Sequence, residues 1–376
     1  HYTKKFFETY TGNLVFHNSL FDVKLLVRDW WMEHPTDYLG MLKGLSYFKN
    51  VHDTMLLAYL QKNATTPISL KLKDIAIAHT GNYTIDVNNI TDCDREDILK
   101  YNLIDTLATY YLWKKYKLQT LSEPYTAIFQ PSIYPIIKMM LVGLPLDNER
   151  VSEVHRLLKE EETKLKLTIQ NTSIIQDFNK QLQYETCIKR NSELKKLKKT
   201  IDEFAHIKFN PFSNTQLSTL LYTKLEFPIL DKTKKGFPKT DAETLKLLKT
   251  HILDSNILAL LDNISTLIDV NKINNTFIKA FMKEKDFLHG NLRLGGTQSG
   301  RLSSNSPNLT NLPSKGKMGK LVKSCFKAKP GWLFAGADFT ALEEKIGTIL
   351  SKDPEIKKIY TQGYDGHSVR AYAYFP

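Results

Sequence analysis

Three observations predict a multidomain chain of mixed α/β and α+β type. At 376 residues it has room for two or three domains of roughly 150 residues each. Near the N-terminus a short apolar stretch, NLVFH at 13–17, precedes a segment of helical spacing. The character then changes twice: to a long charged helical block from residue 148, and from residue 286 to Gly-, Ser-, Asn- and Pro-rich sequence ending on a strand-like run.

Taken in order, NLVFH is short and apolar enough for a buried strand. Residues 18–31, NSLFDVKLLVRDWW, read as a helix, and HDTMLLAYLQ from His52 again has apolar residues at helical spacing. One long helix is expected from Asp94 to Tyr116, with Ile98, Tyr101, Leu103, Leu107 and Tyr110 on one side. The Ser122-Glu123-Pro124 run closes a first domain near residue 121. PSIYPIIKMMLVGLPLDNERV reads as a helix, a turn at Gly143 and a new helix after Asp147. Residues 148–205, with KEEETKLKLTIQ and ELKKLKKTIDEF, predict a solvated helical hairpin. Short helices broken by a Lys/Gly loop at 232–239 fill 209–285. Beyond 286, Trp332–Ala337 predicts a strand that ends on Asp338, with Thr340 capping a following helix. The expected divisions are therefore 1–121, 122–285 and 286–376.

Composition narrows the function classes. Hydrophobic residues make up 42% and charged residues 24%, enough to bury a core and unlike a disordered chain. The net charge of +12 suits a polyanionic partner, nucleic acid above all, although many basic proteins bind none. Cys93, Cys187 and Cys325 are widely spaced and form no CxxC pair. That argues against a disulfide framework or zinc site and for a reducing, intracellular compartment. No apolar run reaches membrane-span length. The first residues lack an h-region and an initiator Met, so the sequence is expected to begin inside a domain.

An Asp at the end of a buried strand can hold a divalent metal, as phosphoryl transfer requires. Taken alone, Asp338 reads more readily as a cap of the following helix than as a ligand. Its neighbours are informative. GGTQSGRLSSNSPNLTNLPS occupies 295–314, and DPEIKKIYTQGYDGHSVRAYAYF occupies 353–375. The series TxxGRLSS, PNLxNxP, ADFxxLE and GYDxH resembles the family A DNA polymerases, bacterial polymerase I and its tailed-phage relatives. DFTALEEKIG and GYDGHSVRAYAYF look closer to the phage enzymes. The resemblance implies a ribonuclease H-like 3′–5′ exonuclease domain, a helical thumb and a partial antiparallel-sheet palm. It implies that Asp338 and the Phe339 carbonyl bind catalytic Mg2+, and that Glu343 sits against the sugar of an incoming deoxynucleoside triphosphate. His367 would reach that nucleotide's phosphates and Arg301 the primer terminus in the minor groove, where every base pair offers acceptors. Asn308, Asn311 and Lys320 would contact primer–template DNA, and the run Lys315, Lys317, Lys320, Lys323 would meet phosphates or form a solvated loop. The pairs Thr340-Ala341 and Glu344-Lys345 stand where the family usually has Ser-Gln and Leu-Arg.

Asn18/Asp22 and Tyr101/Asp105 each share an i, i+4 spacing, which puts each pair on one helix face. They resemble the second and third motifs of the family's exonuclease domain, with HDTMLLAYL between them. By that match Asp22 and Asp105 bind metals, Tyr101 orients the attacking water and Asn18 holds the substrate strand. The first motif, an Asp-x-Glu pair, is expected before residue 1. A fingers Lys and a second palm Asp are expected after Pro376. The 376 residues alone are therefore expected to lack polymerase and nuclease activity. A C-terminal polymerase half and a thumb-bound processivity factor are possible partners, and a phage origin would place the protein in the cytoplasm of an infected bacterium. The rival reading is a non-catalytic module that keeps the polymerase shape to grip duplex DNA.

Overall fold

The structure, a computed structural model, describes residues 2–61, 69–80, 93–120, 123–194, 198–250 and 252–375. Ser122 of the expected boundary run, residues 195–197 of the charged block and Pro376 lie outside these. The chain divides into two compact units, His1–Lys327 and Ala328–Pro376. It is a mixed α/β fold dominated by helices, with three two-stranded sheets among the described residues.

The first unit opens with α1 (Tyr2–Thr9), β1 (Leu14–Phe16), α2 (Ser19–Trp31), α3 (Tyr38–Ser46), β2 (Val51–Asp53), α4 (Thr54–Leu60), α5 (Leu72–Thr80) and α6 (Arg95–Thr120). The expected strand at 13–17 and helix at 18–31 form. HDTMLLAYLQ begins as a strand instead: β2 pairs in parallel with β1, Leu14 opposite Val51 and Phe16 opposite Asp53. Asp53 then caps α4 by accepting from the Met55 amide. A π-helical turn at Tyr125–Phe129 leads into α7 (Gln130–Val142), which Gly143 ends with a φ of 68°, a conformation open to glycine without steric cost. Next come β3 (Leu144–Pro145) and α8 (Asn148–Gln170), capped by Asp147 as the sequence predicts.

α8 and α9 (Ser173–Glu193) form the expected hairpin, but it is not merely solvated. Val151, Val154, Leu158, Leu165 and Ile169 make an apolar stripe on α8 that is buried. Its partners are α10 (Asn214–Ser218), α11 (Ala242–Lys249), α12 (Ser255–Ile273) and α13 (Lys279–Lys283), which contribute Leu217, Leu245, Ile264 and Phe281 to one core. On α8 the charged side chains therefore lie outside this stripe. Glu162 is the exception: it lies within the buried stripe, and Lys166 and Lys159 meet its carboxylate at 2.6 and 3.4 Å.

After β4 (Phe287–Leu288), β5 (Asn291–Arg293) and β6 (Ser303–Asn305) form an antiparallel pair. β3 pairs antiparallel with β4. α14 (Gly316–Lys323) closes the unit. A second core gathers Val23, Leu45, Leu57, Leu112, Ile137 and Leu294. Packing thus crosses both expected boundaries, near 121 and near 285.

The second unit holds α15 (Leu342–Ser351), α16 (Pro354–Thr361) and α17 (Gly366–Tyr374). Two expectations fail here. Trp332–Ala337 is exposed chain with no strand pairing, and Ala341, in the left-handed region at φ 51°, precedes α15 with no side-chain cap from Thr340. A strand is stable only when its backbone groups find a ladder partner. None is present among the described residues of this unit, whose Trp332, Leu333, Ile349 and Leu350 are all exposed.

The long helix forms as α6, and burial picks out its packed face. Leu103, Leu107 and Tyr110, which the spacing puts on one side, are more than half exposed, whereas Ala108, Leu112, Trp113 and Tyr116 are buried. The two faces offer a matched pair. Leu112→Ala is expected to cost about 2–5 kcal/mol by emptying a core site, and Leu107→Ala less than about 0.5 kcal/mol. Urea unfolding of the two variants followed by circular dichroism checks this, and equal costs would contradict the assignment of faces.

Candidate functional sites on two units

The first site grows from the parallel β1–β2 pair. Parallel strands end side by side, so the turns that follow them lie together. Asn18, with φ 70° and ψ 52°, makes the turn into α2. The Asp53 carboxylate, wholly buried, fastens this turn to its neighbour. It accepts from the Asn18 amide at 3.0 Å, the Ser19 amide at 2.7 Å, the Ser19 hydroxyl at 2.8 Å and the Met55 amide at 2.8 Å. The Asp53 amide donates to the Tyr125 hydroxyl at 3.1 Å. Four donors on one carboxylate offset the loss of hydration that burial imposes.

Asp22 stands one turn into α2, as its spacing from Asn18 requires. Burial and then the charge of Asp53 push its carboxyl up to about 6. His17 hydrogen-bonds through Nδ1 with Thr54 Oγ1 and through Nε2 with the Leu70 carbonyl, both at 2.9 Å. Burial lowers its pKa, while the Leu70 contact and the charges of Asp53 and Asp105 act the other way. Asp105 on α6 is therefore within electrostatic range of the β1 end. Tyr101, one turn earlier, accepts from Lys73 Nζ at 2.9 Å and lies under that ammonium, 4.0 Å from its ring centre. The structure so brings Asp22, Asp53, Asp105 and His17 to one end of the strand pair. Among the described residues no group of three or more His, Cys, Asp or Glu stands close enough to hold a metal ion. Asp53 and His17 escaped the motif reading. An Asp directly before an apolar helical run is a cap signal that the sequence did carry.

Beside Asn18 a cleft of about 260 Å³ is lined by Phe21, Lys24, Asn291, Arg293 and Asn305. Lys24 Nζ donates to Asn291 Oδ1 at 2.5 Å. Burial, and then Arg28, lower the Lys24 pKa.

Arg301 is exposed at the end of the β5–β6 loop. The Asn308 side-chain carbonyl accepts from Thr310 Oγ1 at 2.9 Å and Ser304 Oγ at 3.3 Å, which holds the turn ahead of the short 3-10 helix carrying Asn311. Lys320 lies on α14. Lys315, Lys317, Lys320 and Lys323 form no loop: they are exposed along and just before a helix whose Gly319 and Val322 face the core.

In the second unit, Asp338 and Phe339 are exposed ahead of α15, and Glu343 is exposed in its first turn. Glu344, beside it, accepts from the Tyr360 hydroxyl and the Arg370 guanidinium, and His367 Nε2 lies 3.7 Å from its carboxylate. The hydrogen bond from Tyr360, then those of Arg370, hold the Glu344 carboxyl below its ordinary range.

Asp22 supplies a pH test. A carboxyl raised in the folded state stabilises the fold when protonated, and that contribution is lost as pH rises through about 6. Asp22→Asn is therefore expected to gain about 1–2 kcal/mol at pH 7.5, after allowance for solvent screening, and nothing at pH 3.5. Urea titrations at the two pH values, with a chelator present, check it; an equal gain at both would refute the shift.

A family model described as DNA polymerase family A matches residues 180–376. DNA polymerase I of Geobacillus stearothermophilus is 29% identical over 233 residues, 60% of this chain and 26% of that protein. DNA polymerase I of Treponema pallidum (strain Nichols) is 24% identical over 379 residues, 99% of this chain and 33% of that protein. The thermostable DNA polymerase I of Thermus thermophilus is 30% identical over 186 residues, 48% of this chain and 22% of that protein. The chain thus spans at most about a third of these relatives' length. Among solved structures, the POL domain of Pol1 from M. smegmatis, in complex with DNA primer-template and dNTP, superposes with a TM-score of 0.59. The likeness covers 90% of this chain and 54% of that one at 19% identity, and it shows the fold. The matched region takes in Arg301, Asp338 and His367 and exceeds half of the residues, and the chain belongs to DNA polymerase family A.

Proposed function

We propose that the polypeptide carrying this chain is a DNA-directed DNA polymerase that adds deoxynucleotides to a primer 3′ end by two-metal catalysis. The observation that carries this reading is the family match across the segment bearing Arg301, Asp338 and His367. The implied metal is Mg2+, which binds one or two carboxylates, substrate phosphates and water in octahedral geometry. An exposed Asp338 carboxylate followed by the Phe339 carbonyl fits part of such a set. These two groups would hold the ion, which supplies charge neutralisation at the reacting phosphoryl group. Glu343 excludes a 2′-hydroxyl by its bulk, and His367 meets the nucleotide phosphates. Arg301 reads the shape of the primer terminus, while Asn308, Asn311 and Lys320 position the backbone. One carboxylate does not make a two-metal site, so these 376 residues alone are expected to incorporate no nucleotide, and pairing with a C-terminal half is expected to restore synthesis.

The N-terminal region is proposed as a 3′–5′ proofreading nuclease: Asp22 and Asp105 on metals, Tyr101 on the attacking water, Asn18 on the strand. The cleft beside Asn18 suits a single strand, with Lys24 and Arg293 for phosphates and Phe21 for a base. A processivity factor on the thumb helices, a tailed-phage origin and the divisions 1–121, 122–285 and 286–376 complete the proposal. Among the described residues no helix is long and apolar enough to cross a membrane.

The test has two parts. Binding of a fluorescent primer–template to the chain is expected to weaken about ten- to a hundredfold on Arg301→Ala. For Lys320→Ala the slope of log affinity against log salt is expected to fall by about one. In primer extension with a family-typical C-terminal half, Asp338→Ala is expected to abolish incorporation. Retained synthesis would sink the metal-ligand reading, and no restoration in any pairing would favour a non-catalytic duplex-binding module.

A further inference from the structure

Arg301 ends a loop that the N-terminal core holds in place. Leu294, one residue past β5, is buried in the core formed by α2, α4 and α7. From α4, the Tyr59 hydroxyl donates to the Thr297 carbonyl at 2.9 Å and lies 3.4 Å from that of Gln298. Thr297 Oγ1 in turn donates to the Arg301 carbonyl at 2.9 Å, so the residue that Tyr59 grips also closes the loop on Arg301. The Tyr59 ring lies against the start of the loop. A Cβ on Gly295, whose φ is +67°, would come within 3.0 Å of that ring, and one on Gly300 would lie 3.8 Å from the hydroxyl. Tyr59 is steadied from behind by Phe129, with ring centres 5.7 Å apart. The Lys24–Asn291 hydrogen bond ties the base of the same hairpin to α2.

We propose that Tyr59 is a positioning residue of the primer grip: through the Thr297 carbonyl it fixes the 295–301 loop on the N-terminal core and so sets where the Arg301 guanidinium meets a primer terminus. The role of Arg301 rests on the function proposed above. The role of Tyr59 rests on the contacts just described. An isolated loop of this composition samples many conformations, and ordering it on binding costs affinity. A loop ordered beforehand avoids that loss. The nuclease-like region thereby serves the polymerase reaction whether or not it cleaves DNA.

Tyr59→Phe removes the hydroxyl and keeps the ring against Gly295 and Phe129, so the fold survives. Two measurements on the 376-residue chain test the proposal. In hydrogen–deuterium exchange, amides within 296–301 are expected to exchange faster in Tyr59→Phe, while those of α4 do not change. Binding of a fluorescent primer–template is expected to weaken about fivefold, the effect of one neutral hydrogen bond. In an Arg301→Ala background the same substitution is expected to weaken it less than about twofold, because both act through one contact. Thr297→Val should reproduce the pattern from the other side of the link. Unchanged exchange in the loop overturns the proposal. So do losses that multiply in the double variant. If Arg301→Ala leaves DNA binding intact, the primer-grip reading itself fails, and faster loop exchange in Tyr59→Phe then shows that the bracing is real but serves another end.

Discussion

The buried carboxylate of Asp53 is the constraint on which the N-terminal half depends. It accepts four hydrogen bonds, three from the turn into α2 and one from the first turn of α4. Removing it would strand buried donors at about 1–3 kcal/mol each. Its geometry sets the directions in which α2 and α4 leave the sheet. α2 carries Asp22 toward the candidate nuclease centre, and α4 carries Tyr59 toward the β5–β6 loop. Its charge matters as well, adding to the rise that burial imposes on the Asp22 carboxyl and opposing the fall that burial imposes on His17. One side chain thus links sheet, helix orientation and site electrostatics.

Local elements were legible in the sequence wherever a chemical signal was local. Asp147 before Asn148 and Gly143 after Val142 mark a helix start and a helix end that the structure reproduces. The motif series from Arg301 to His367 named the family because its members are ordered and chemically specific. What was not legible shares a cause. Periodicity shows that a helix has an apolar stripe but not which of two stripes finds a partner: α6 carries Leu103 and Leu107 on one side and Leu112 and Trp113 on another, and tertiary packing chose the second. The run Trp332–Ala337 has strand composition, yet a strand exists only in a sheet. Asp53 was overlooked because a lone Asp has no spacing partner. Three of its four donor groups come from residues more than thirty positions away.

The candidate sites differ in how they are built. The nuclease-like group rests on a folded core, with Asp53 buried and Asp22 partly so. Asp338 and Phe339 stand on exposed chain, and the nearby order comes from polar contacts converging on Glu344. Glu344 is partly buried, and its bonds to Tyr360 and Arg370 join α15, α16 and α17. A polar link here takes over a task that side-chain packing performs elsewhere in the chain.

Leu294 has an implication for how this chain can be recombined. It follows the charged thumb-like helices in sequence, yet its side chain completes the core of the first hundred and forty residues. A swap that replaces residues 1–121 as a cassette would meet a foreign Leu294 and a foreign β5–β6 loop. A swap of everything after 285 would leave a vacancy in the N-terminal core. Exchange that preserves packing has to carry α2, α4, α7 and the hairpin together, so the first hundred and forty residues and the β5–β6 hairpin form a single unit of variation.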